Sequence, residues 1–120
     1  MPRYVDGFVI PIPKKNLKAY LVQARLGAKL WKEHGAVAYA ECVADDLEVP
    51  YGKGFRKLAG LEAGETVVFS FIVFKSRAHR DRVNAKVMKD PRMQGDAMQG
   101  AMPFDMKRFA VGGFAELVGW

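Results

Sequence analysis

The sequence predicts an α+β domain built in the order β-α-β-β-α-β. Three observations carry this. Four segments alternate apolar side chains with period two or are apolar on both sides, two intervening stretches repeat apolar residues every three or four positions, and glycine or proline marks the junctions.

Tyr4 to Ile10 reads as the first strand, with Tyr4, Phe8 and Ile10 on one side and Val5, Gly7 and Val9 on the other; Pro11 and Pro13 end it. A helix follows from Pro13 or Lys14 to His34. Leu17, Tyr20, Leu21, Ala24, Ala28 and Trp31 form its apolar stripe, Pro13 suits its first turn, and Gly35 suits the position past its end. The strand from Ala36 to Ala44 sets Val37, Tyr39, Glu41 and Val43 against a face of small side chains, Ala36, Ala38, Ala40 and Cys42. Residues 45–64 are irregular, with Pro50 and four glycines. About twenty structureless residues are unusual in so small a domain, so a short element around Phe55 to Ala59 is expected, burying Phe55 and Leu58.

Glu65 to Phe74 is the clearest strand: Val67, Phe69, Phe71 and Val73 face one way, Val68, Ile72 and Phe74 the other. Ser76 caps a second helix through Met88, with Ala78 or His79, Val83 and Val87 inward. Asp90-Pro91 closes it and opens a further turn. Residues 93–103 show no period. Lys107 to Val118 is the last strand, where Gly112-Gly113 marks a bulge or a close backbone contact. This order is the split βαβ, or ferredoxin-like, arrangement: one four-stranded antiparallel sheet with both helices on one face. Residues 1–120 form a single domain.

Two helices shield one face of such a sheet, yet the central strand is apolar on both. The open face is a patch of order several hundred Å², more than soluble monomers usually tolerate. A second copy laid sheet to sheet with two-fold symmetry is the simplest cover; segment 45–64 or Trp120 folding back over the face is the alternative.

Half the residues are apolar, 27% are charged and the net charge is +6, with bases and acids interleaved. No nucleic-acid motif accompanies the charge, so no nucleic-acid partner is expected. The longest apolar run is too short to cross a bilayer, and no secretory signal is expected. The single cysteine, Cys42, excludes an intrachain disulfide and multi-cysteine zinc sites, which fits a cytoplasmic protein. No metal site is expected: the acidic loop Asp45, Asp46 and Glu48 lacks calcium-loop spacing.

His34 and His79 are the two histidines. His34 ends the first helix, where the dipole favours a cation and a capping role. His79 opens the second helix, stays neutral there, and is a candidate base or ligand against a purely structural role. Asp6, Glu41 and Glu116 are acids within apolar strands and need partners; Arg108 or Lys107 could supply one. Tyr4, Tyr20, Trp31 and Tyr39 could wall a pocket or simply pack. Asp6 and His79 are thus the catalytic candidates, and Tyr4, Tyr20, Trp31 and Arg108 the ligand-binding ones, for a small aromatic or anionic compound.

A resemblance adds to this. Tyr4-Val5-Asp6-Gly7-Phe8-Val9, Trp31-Lys32-Glu33-His34-Gly35-Ala36, Glu41-Cys42-Val43-Ala44-Asp45-Asp46, Phe74-Lys75-Ser76-Arg77-Ala78-His79-Arg80-Asp81 and Met102-Pro103-Phe104-Asp105 closely resemble the YbaA-like family of uncharacterised bacterial proteins. That resemblance implies a dimeric α+β barrel and supplies no activity. More distantly, such barrels include cofactor-free and haem-degrading monooxygenases, muconolactone-isomerase-like enzymes and ligand-binding domains. Phe74-Lys75-Ser76 looks like the corresponding turn of the monooxygenases. Phe74 stands where the haem-degrading residue set has a tryptophan, so no cofactor is expected. Two readings stay open: a small-molecule-binding or cofactor-free enzymatic domain, and a non-catalytic homodimeric sensing or interaction module. A void of about 300 Å³ or more lined by Asp6, His79 and aromatics favours the first, a solid interior the second.

Overall fold

The computed structural model describes residues 2–95 and 102–120. Strand β1 (Tyr4–Pro13) leads through a 3-10 turn at Lys14–Asn16 into helix α1 (Leu17–Glu33). Strand β2 (Ala38–Val43), the short helix α2 (Phe55–Ala59), strand β3 (Glu65–Phe74) and helix α3 (Arg77–Lys89) follow. A 3-10 turn (Pro91–Gln94) and strand β4 (Ala110–Ala115) complete the order. The strands form one antiparallel sheet in the order β2-β3-β1-β4. This is the expected ferredoxin-like fold.

β1 runs past both prolines, three residues beyond the expected end. Pro11 pairs with Val67 on β3, while β4 pairs with β1 only as far as Val9. Beyond Val9 one side of β1 is therefore a sheet edge, where a missing N–H costs no ladder bond. β4 is shorter than expected, and Leu117, Val118 and Trp120 lie outside the sheet, fully or almost fully exposed. Its register with β1 is unbroken, so Gly112-Gly113 is no bulge. It is a close contact: a Cβ on Gly113 would sit 2.7 Å from Cε2 of Tyr4.

The stripe of α1 is rotated from the expected one. Ala24, Gly27 and Leu30 are buried, while Leu21 is half exposed. Gly27 is inward because the Tyr39 hydroxyl occupies the place of its missing side chain, 2.8 Å from an added Cβ. Ser76 accepts the His79 N–H at 3.1 Å and caps α3, whose Val83 and Val87 are buried as expected. Asp90 accepts the Arg92 N–H at 2.9 Å and caps the turn after it. Helix α2 forms where expected, but Phe55 and Leu58 are not buried. Residues 96–101, within the aperiodic stretch, lie outside the described residues.

Two groups of buried side chains form the helix-side core. Leu30, Ile72, Phe74, Val83 and Val87 make one; Ile10, Ile12 and Val68 make the other; Phe8 packs against both. The opposite face lacks the cover of α1 and α3; the short α2 meets it at one end, where Phe55 packs edge-on against Phe69 at 6.2 Å between ring centres. The register places Ala38, Ala40 and Cys42 of β2, Phe69, Phe71 and Val73 of β3, Val5, Gly7 and Val9 of β1, and Ala110, Gly112 and Phe114 of β4 on it. Every one of these residues is apolar or small; the same register continues this side through Pro11 and Val67, which are buried, to Pro13 and Glu65. Phe69 and Phe114 remain 46% and 61% exposed: segment 45–64 reaches the face at its Phe69 end, through Phe55, and leaves the rest open, while the fully exposed Trp120 does not cover it.

Candidate functional site

A cavity of about 180 Å³ lies between α1 and the sheet. Six aromatic side chains wall it: Phe8 from β1, Tyr20 and Trp31 from α1, Tyr39 from β2, and Phe104 and Phe109 from the segment before β4. Tyr20 meets Phe104 edge-on at 5.8 Å between ring centres, and Phe104 meets Phe109 edge-on at 5.6 Å. Trp31 and Tyr39 lie 6.1 Å apart. The cavity is smaller than the void expected of a binding domain, yet it is not a solid interior. An apolar cavity of ~150 Å³ already admits benzene.

Among the described residues one carboxylate enters this apolar space, that of Glu41. Tyr20 donates its phenol to Glu41 Oε1, and Tyr39 donates to Oε2 at 2.6 Å. Burial, and then the hydrogen bonds to Glu41, push both phenols well above the ordinary tyrosine range, so they stay protonated and donate. Tyr39 and Glu41 share a face of β2 because their spacing is two. The helix-side wall is fixed by Gly27, which leaves room for the Tyr39 hydroxyl.

The wall before β4 is tied down twice. Asn16 donates Nδ2 to the Pro103 carbonyl at 2.8 Å. Arg108 grips Glu65 with two bonds of 2.7 and 2.8 Å and also donates to the Gly60 carbonyl at 2.8 Å. Arg108 therefore anchors the wall. It does not pair with Asp6, Glu41 or Glu116, contrary to the sequence expectation, because residues 107–109 precede β4 and turn toward the start of β3.

Asp6 lies outside the cavity lining, under α3. It accepts from Arg80 Nη1 at 2.6 Å and from Asn84 Nδ2 at 3.2 Å. Asn84 in turn accepts the Trp31 indole N–H at 2.9 Å. The Arg80 guanidinium also stacks over Tyr4, 4.8 Å from its ring centre, so Tyr4 belongs to this ion pair and not to the cavity. His79 is apart from both: its Nδ1 accepts the Lys75 N–H at 3.0 Å, and its ring edge packs on Phe74. Desolvation, with Lys75, Arg82 and Lys86 nearby, lowers its pKa. His34 does more than cap: its Nε2 lies 2.9 Å from Asp90, which Arg92 also holds. Glu116 pairs with Arg3.

Of the expected site residues, then, the structure brings Tyr20 and Trp31 to the cavity and leaves Tyr4, Asp6, His79 and Arg108 in structural contacts elsewhere. The sequence marks Glu41 as an acid in need of a partner without placing it in the site, and does not single out Phe104 or Phe109. The usable signal was Tyr39-x-Glu41 facing away from three small residues of the same strand. Among the described residues no group of three or more metal-ligating side chains converges, and no helix is long and apolar enough to cross a membrane.

Comparison with known proteins agrees with the architecture. A dimeric ferredoxin-like protein from an uncultured marine organism superposes with a TM-score of 0.63, at 11% identity and over 100% of both chains. The uncharacterized protein YbaA of Escherichia coli K12 is 44% identical over 118 residues, 97% of each chain, and YbaA of Shigella flexneri matches to the same extent. Residues 3–106 match the family described as protein of unknown function DUF1428. The chain belongs to the DUF1428 family, together with the YbaA proteins.

Proposed function

We propose that this protein is a homodimeric, cytoplasmic small-molecule-binding domain whose ligand, a compact aromatic compound, occupies the cavity between α1 and the sheet. The observation that carries this reading is the cavity itself: six aromatic rings and the Glu41 carboxylate around a space left open between α1 and the sheet. The chemistry these residues could themselves supply is proton transfer through Glu41, which makes a cofactor-free enzyme the catalytic form of the same reading. Asp6, through Asn84 and Trp31, and Arg108 belong in it to the frame that holds the walls, and His79 caps the turn into α3.

The open face supports the homodimer. Its floor is Gly7 and Gly112, its rims are Phe69, Phe71 and Phe114, and the trough between them measures about 530 Å³. Small floor and aromatic rim are self-complementary under a two-fold axis. Burial at ~25 cal/mol per Å² of apolar surface favours association. The marine protein of similar fold is described as dimeric.

Trp31 provides the test. With Trp120→Phe removing the other, fully exposed tryptophan, Trp31 emission reports the cavity. Titration with phenol or benzyl alcohol is expected to give a saturable change that Ala24→Leu, which fills the cavity, abolishes. No saturable change with any small aromatic overturns the binding reading.

A further inference from the structure

We infer that the cavity selects a small organic cation, a primary ammonium or amidinium on a flat hydrocarbon body, with Glu41 as its counter-ion; this rests on the cavity being a ligand site. The argument begins from charge. Five carboxylates among the described residues are not exposed: Asp6, Glu41, Glu65, Asp90 and Glu116. Four of them have a cation at hand. Asp6 has Arg80 at 2.6 Å, Glu65 has Arg108 at 2.7 Å, Asp90 has Arg92 at 2.7 Å, and Glu116 has Arg3. Among the described residues Glu41 is bonded only by two phenols.

Those phenols are neutral, so they orient the carboxylate without cancelling its charge. Each Glu41 oxygen is bonded by one phenol, and neither meets a cation among the described residues. Among the described residues no lysine, arginine or histidine lines the cavity. A half-buried carboxylate without a cation is costly to keep, and this one persists in a chain with nineteen lysines and arginines against thirteen acids. A ligand that brings the missing positive charge relieves that cost. The rings point the same way, since aromatic faces attract ammonium and guanidinium-like groups. The same charge argues against the anionic ligand considered from sequence: Arg108, its expected partner, is occupied by Glu65.

The experiment compares three molecules of one shape, benzylammonium, benzyl alcohol and benzoate, by Trp31 fluorescence in Trp120→Phe at neutral pH. Benzylammonium is expected to bind at least about tenfold more tightly than benzyl alcohol, with benzoate weakest. In Glu41→Gln the advantage of the cation should vanish while benzyl alcohol still binds, which also shows that the variant is folded. If benzyl alcohol or benzoate equals or exceeds benzylammonium in the parent protein, the charge inference is overturned and the cavity reading stands. If none of the three binds, both fall. Should Glu41→Gln not fold, the parent protein's ranking decides alone.

Discussion

Replacing Arg80 by alanine tests whether Asp6 is a structural acid. Asp6 is 5% exposed, and Arg80 Nη1 at 2.6 Å is its one cationic partner. Removing the arginine leaves a buried carboxylate with only the Asn84 amide at 3.2 Å. Breaking a buried pair costs about 3–5 kcal/mol. The Arg80 side chain is 19% exposed, so water partly screens the pair and the lower end applies. Loss of the stacking over Tyr4 adds ~0.5–1 kcal/mol, while the bond to exposed Asp81 adds little. The sum is about 3–4 kcal/mol. At roughly 4 °C per kcal/mol for a domain of this size, Tm should fall by about 12–16 °C. Differential scanning calorimetry at fixed protein concentration measures it, and Asp6→Asn in the Arg80→Ala background should recover part of the loss, because the pair is then absent on both sides. A fall below about 4 °C, or no recovery in the double variant, would mean that Asp6 is not held by this pair and that its burial serves something else.

Three further changes have defined outcomes. Phe71→Asp puts a charge in the middle of the open face, and sedimentation velocity should then show a monomer where the parent is a dimer; a parent that already sediments as a monomer refutes the sheet-to-sheet arrangement. Gly27→Ala would gain ~1 kcal/mol if only helix propensity mattered, but the added methyl meets the Tyr39 hydroxyl, so thermal melts should show destabilisation of about 1 kcal/mol and weaker ligand binding. The Arg108 guanidinium, first through its hydrogen bonds, holds Glu65 at a pKa of about 2. This contribution to stability is fully present above the ordinary glutamate range and is lost as pH falls toward 2. Arg108→Met lacks it, so the acid-unfolding midpoint followed by circular dichroism should rise, by roughly half a unit or more.

The element order was legible because period-two and period-3.6 patterns are written in adjacent residues. β3 announced itself through Val67 to Phe74, and Ser76 and Asp90-Pro91 marked both ends of α3. What was not legible depended on distant partners. Pro11 stays in the sheet because β4 stops at Val9, a fact about another strand. Gly27 faces inward because a tyrosine hydroxyl from β2 fills its side-chain space, so a stripe drawn from apolar residues alone was rotated. The pairing of acids with bases was the least readable: Asp6 finds Arg80 and Arg108 finds Glu65 across 74 and 43 residues of chain. For the cavity, Tyr20 and Trp31 were visible as aromatics on a helix, whereas Glu41 gained meaning only from the two phenols folded around it.

Cys42 sits beside Phe69 on the uncovered side of the sheet and is free. In the proposed dimer its thiol is sealed between the two copies, so a maleimide can reach it only while the subunits are apart. Labelling speed therefore becomes an internal clock for subunit exchange: slow and set by the dissociation rate whatever the protein concentration if the pair is long-lived, and proportional to the free-monomer fraction, so falling as concentration rises, if exchange is fast. The same placement shelters the chain's lone sulfhydryl from oxidants for as long as the two halves stay together.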